Sequence, residues 1–95
     1  MKSAYELAMQ RLGGAARQYT AAQKEQLADL DRLYESKIVQ AKFAAQARRA
    51  GVQGDAAKLK QVDDDLAVEI RSHEARRERK KEELRAEFAA GDSKP

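Results

Sequence analysis

The basic run RRERKK, Arg76 to Lys81, flanked by Arg71 and Arg85, is the densest set of side chains with binding chemistry in this chain. Clustered guanidinium and ammonium groups neutralise phosphates and release counterions. Arg71, Arg76, Arg77, Arg79, Lys80, Lys81 and Arg85 are therefore the candidate residues for a polyanion such as DNA or RNA. Glu74, Glu78, Glu82 and Glu83 interleave the run, and no aromatic residue lies within it to stack on bases. Both features favour a solvated, salt-bridged helix face over a nucleic-acid site. Asp63, Asp64 and Asp65 with Glu69 invite a divalent-cation reading, because hard cations need clustered carboxylate oxygens. Three successive residues on a helix splay over about 200 degrees, so they cannot converge on one ion. An interhelix charge partner for Lys42 and its neighbours is the better reading.

His73 is the one histidine, and no nucleophile, second histidine or paired carboxylate accompanies it at a useful spacing. Its four-residue separation from Glu69 also differs from the Glu-x-x-His arrangement of di-iron bundles. It reads as a polar layer that tunes the register between two helices. The GVQG segment, 51–54, lacks the lysine and the preceding strand of a phosphate loop and reads as a turn. Tyr5, Tyr19 and Tyr34 are scattered, and a two-helix hairpin offers no enclosed cavity in which to shift a pKa. No catalytic, cofactor-binding or metal-ligating residue is expected, and the chain reads as non-enzymatic.

The elements that would position these groups follow from helix punctuation. Ser3 with Glu6 fits a capping box, and Gly13-Gly14 stops the run, which predicts a short amphipathic helix over 4–12 within residues 1–14. Its Met1, Tyr5, Ala8 and Leu12 share one side. Thr20 with Gln23 is a second capping box and opens a run free of glycine and proline until Gly51, predicting a long helix over 21–50. Asp55 is a natural N-cap for a second long helix reaching Ala90, with Gly91 as its terminating residue and 91–95 as a frayed tail. Core positions Leu27, Leu30, Tyr34, Ile38, Ala41 and Ala45 repeat at 3-4-4-3-4 spacing. Leu59, Val62, Leu66, Ile70, His73 and Arg77 repeat identically. The fold class is therefore all-α: a long antiparallel, coiled-coil-like hairpin over 15–90, turned at 51–54 and preceded by the short helix. The 11-residue step in each set predicts a nearly straight or slightly right-handed pair.

Composition agrees. Charged residues make up 37% of the chain, and 19 of its hydrophobic residues are alanine, so large apolar side chains are confined to narrow seams. The net charge of +3 is the small difference of many charges and says little about nucleic acid. There is no cysteine, no secretory h-region and no apolar run near the ~20 residues that span a bilayer, so a cytoplasmic protein is expected. The opening MKSAYELAMQRL and the hairpin pattern resemble small bacterial proteins rich in Ala, Glu, Lys and Arg, a likeness that carries over no activity or site.

A turn centred near residue 52 or 53 places Lys37 opposite Leu66 to Glu69 and Lys42 opposite Asp63 to Asp65. The same register sets Glu25, Asp29, Asp31 and Glu35 opposite the basic stretch 71–80. Acid then faces base along most of the hairpin. Val39, Phe43 and Val68 fall outside the seams, and Leu84 and Phe88 continue past the strongest part of the first seam toward Ala21 and 17–19. These five are the candidate face for a partner: a homodimer first, or another helical protein. The expected function is a helical interaction or scaffold protein acting through such faces, with polyanion binding as the alternative. The short N-terminal helix either folds over the open end through Gly13-Gly14 or serves as a free binding motif.

Overall fold

The computed structural model describes residues 19–92; the expected N-terminal helix, its Gly13-Gly14 hinge and the tail from 93 lie outside them. The described chain is two long helices, α1 (Ala21–Gly51, 31 residues) and α2 (Ala56–Asp92, 37 residues), packed against each other. Each begins where a side chain satisfies free backbone donors. The Gln23 N–H donates to Thr20 Oγ1 at 3.0 Å, while the Thr20 N–H donates to Gln23 Oε1 at 2.9 Å, completing the capping box. Asp55 caps α2 by accepting the Lys58 N–H on Oδ1 at 3.1 Å.

Between the helices the chain reverses in four residues. The Val52 N–H closes the last turn on the Arg49 carbonyl at 3.1 Å, and the Asp55 N–H returns to the Val52 carbonyl at the same distance. Gly54 supplies the left-handed residue, with φ of 86°. Gly91 behaves otherwise than expected. It does not adopt a left-handed conformation, and α2 continues through it to Asp92. Glycine's weaker helix propensity alone does not end a helix.

All twelve seam positions are buried or half-buried, as a 3.6-residue period requires of the sides the two helices turn to each other. The buried apolar set is thin: Tyr34, Ala41, Ala45, Val62 and Phe88. Alanines dominate the α1 seam near the turn and bulky residues, Tyr34, Leu30 and Leu27, its open end. Small side chains let helices approach and large ones hold them apart.

Two ion pairs fix the antiparallel register. Arg49 meets Asp63, and Lys81 Nζ meets Asp31 Oδ1 at 3.0 Å. Going 18 residues back along α1 from Arg49 to Asp31 corresponds to 18 forward along α2 from Asp63 to Lys81. Eighteen residues are five helical turns, so both pairs lie on one side of the hairpin. Both pairs are shifted along α2 from the expected register: Asp63 takes Arg49 and not Lys42, Asp31 takes Lys81, and Lys37 and Lys42 make no ion pair among the described residues. The cause is directional. Helical side chains lean toward their own N-terminus. In an antiparallel pair these leans are opposed, and each α1 residue meets an α2 residue several positions beyond the one level with its Cα. Glu25 and Asp29 turn to Arg32 of their own helix instead.

Candidate interaction surfaces

The basic stretch disperses around α2. Lys81, its side chain largely buried, is held by Asp31; Arg85 pairs with Glu82, Lys80 lies 3.7 Å from Glu83, and Arg77 Nε donates to Glu78 at 3.3 Å. Arg71, Arg76 and Arg79 are exposed and make no ion pair among the described residues. At 100 degrees per residue these three span about 140 degrees of the side of α2 turned away from α1. The seven basic residues therefore form no single concave patch.

The aspartates splay as helical geometry requires. Asp63 is held by Arg49, Asp64 accepts from Lys60 Nζ at 2.7 Å, and Asp65 accepts from Gln61 Nε2 at 2.8 Å. Among the described residues no three His, Asp or Glu side chains gather where a metal ion would be held. Asp64 raises the Lys60 pKa above its ordinary value, first through the hydrogen bond and then through its charge. Asp63 does the same for Arg49; for Arg32 the hydrogen bond to Asp29 leads, followed by that to Glu25. All these cations are exposed, so the pairs contribute little to stability.

His73 is half-buried in the seam, with Nε2 4.0 Å from Glu69 Oε1, too long for a hydrogen bond. Its Nδ1 is buried without a hydrogen-bond partner among the described residues.

The apolar candidates divide. Val39, Phe43 and Val68 are exposed, with Phe43 at 68% the most open of them. Phe88 is buried, its ring centroid 5.8 Å from that of Tyr19 at an interplanar angle of 59°. The stretch before α1 thus covers the end of α2, as the register implied. Around Phe43, between Ser36 and Ala50, the outer side of α1 carries Ser36, Val39, Gln40, Gln46, Ala47 and Ala50 with no charge among them; Glu35, Lys37 and Lys42 lie at least about 80 degrees away, and Arg32 with Glu25 and Asp29 bounds the stripe on the same side. Val68 has Asp64 and Asp65 within a turn.

Leu33 is a further exposed hydrophobic, at 50%, that the seam pattern passes over because it lies between Leu30 and Tyr34 but outside their stripe. It helps to line an open groove of about 440 Å³ between the helices, floored by Leu30, Leu33 and Leu84 and rimmed by Asp29, Lys80, Glu83 and Glu87. The groove lies at the bulky end of the seam, on the opposite side from the two interhelix ion pairs. No described helix is long and apolar enough to cross a membrane. No known protein family, curated protein or solved structure matches this chain, so these surfaces carry the functional argument alone.

Proposed function

We propose that this chain is a non-enzymatic helical interaction protein whose hairpin associates through the outer side of α1, with a second copy as its first partner. The observation that supports this most is the uncharged stripe centred on Phe43, with Val39 one turn away and both exposed. Aromatic anchors surrounded by small and amide side chains suit helix-on-helix packing. Two stacked hairpins would make a four-helix assembly and supplement a core with no fully buried large side chain. Light scattering on the purified protein over a hundredfold concentration range tests it. The expected mass rises from one chain to two, and Phe43→Glu holds it at one. A monomer at every concentration removes the homodimer.

Polyanion binding is the second reading, supported by Arg71, Arg76 and Arg79, which make no ion pair among the described residues. Three such guanidinium groups imply a shallow salt dependence, with log Kobs falling by about three per tenfold salt. Fluorescence anisotropy with a short duplex and a single-stranded RNA measures it. No binding at low salt, or binding unaffected by replacing all three with glutamine, disposes of the reading.

A further inference from the structure

The groove at the open end is the one place where an apolar floor, a charged rim and a chain end come together. Its rim carries Asp29, Glu83 and Glu87; Arg32 holds Asp29 from beside the rim and Lys80 lies by Glu83, so the rim is acidic through Glu87. Glu87 makes no ion pair among the described residues. An apolar floor with an acidic rim selects a short amphipathic helix with basic flanks.

Residues 1–18 fit that description. They hold Lys2, Arg11 and Arg17 against Glu6 alone. On a helix over 4–12, Tyr5, Ala8, Met9 and Leu12 occupy one side, Arg11 lies at one edge of it, and Lys2 immediately precedes the helix. We infer that this segment seats its apolar side on Leu30, Leu33 and Leu84, with its basic flanks toward the acidic rim, making a third helix of the fold.

The reach is right. Chain enters α1 at Tyr19, whose ring is fixed on Phe88 at this same end. From Gln26 to Leu33 the groove runs seven residues along α1, about 10 Å, and a nine-residue helix is about 13 Å long. The six residues 13–18, led by two glycines, extend up to about 20 Å, enough to reverse direction. The segment then runs antiparallel to α1, with Leu12 near the open end and Tyr5 level with Leu33 and Lys80. Self-association through Phe43 uses a different side of α1, and neither proposal depends on the other.

The absence of cysteine makes the test direct. In the full chain, Tyr5→Cys with Leu33→Cys is oxidised and resolved on a non-reducing gel against Tyr5→Cys with Phe43→Cys, whose second site is more exposed. The expected result is a within-chain disulfide forming at least tenfold faster in the Leu33 pair. Equal rates would mean an unseated segment, and disulfides only between chains would mean that a second copy fills the groove; either overturns the inference. A second measurement uses Leu33→Glu, a half-exposed site whose change leaves the hairpin's helix signal intact. Tryptic cleavage after Arg11 should then speed up about tenfold, and an unchanged rate counts against the docked segment.

Discussion

At the scale of single residues, two glycines three positions apart separate backbone effects from packing. An added Cβ meets nothing within 4 Å at either Gly51 or Gly54. Gly51 is helical, so Gly51→Ala gains helix propensity and is expected to stabilise the protein by about 0.5–1 kcal/mol. Gly54 has φ of 86°, so Gly54→Ala strains the turn and is expected to destabilise it by about 1 kcal/mol. Opposite shifts of the urea midpoint, read by circular dichroism, check the pair; shifts of the same sign contradict the assigned conformations. His73 makes a third case. Its buried Nδ1 lacks a hydrogen-bond partner among the described residues, and exchanging the imidazole for an apolar group of similar size removes that desolvation penalty. His73→Leu is therefore expected to add about 1 kcal/mol, raising the melting temperature by about 4–8 °C. A fall in melting temperature would show that the ring is held by an interaction worth more than its burial costs.

At the scale of elements, the interhelix ion pairs differ in how much water they exclude. The Lys81 side chain is only 16% exposed, whereas Arg49 and Asp63 are both about half-exposed, at 45% and 53%. Double-mutant cycles to alanine should give a coupling of about 1 kcal/mol for Asp31 with Lys81 and a smaller one, fading in salt, for Arg49 with Asp63. Within α2, the raised Lys60 pKa adds stability that is complete below the ordinary lysine value and is lost as pH rises past the raised one. The pair accordingly adds no slope across neutral pH. The two long helices, their N-caps at Thr20 and Asp55 and both seams were legible in the sequence because caps and 3.6-residue periods are local. The ion-pair partners were read several residues short, since the opposed lean of side chains in an antiparallel pair has no sequence signature. Leu33 escaped for a related reason: the seam rule sorts residues by side, and a groove depends on how far apart neighbouring side chains hold the helices. Gly91 shows the limit of punctuation, since a glycine that does not take the left-handed conformation does not by itself end a helix.

At the scale of the whole molecule, stability and association are linked. Five buried apolar residues, two of them alanine, leave the isolated hairpin dependent on helix propensity and on whatever covers its remaining apolar surface. A second copy that binds the folded chain alone stabilises it by mass action, so the melting temperature becomes concentration-dependent. The outer side of α1 is expected to produce this through Phe43 and Val39, whereas Val68, on the far side of α2 and close to Asp64 and Asp65, is not. Wild-type protein and Val68→Glu should therefore melt at temperatures that rise with protein concentration. Phe43→Glu should melt lower and at one temperature throughout, with its helix content at low temperature unchanged because the substituted side chain is 68% exposed in the single chain. The two glutamate variants add the same charge to exposed helical positions, which makes each the other's control for helix propensity and net charge. A concentration dependence lost in Val68→Glu and kept in Phe43→Glu would move the interface to α2, and its absence from the wild type would leave the thin seam as the sole source of the hairpin's stability.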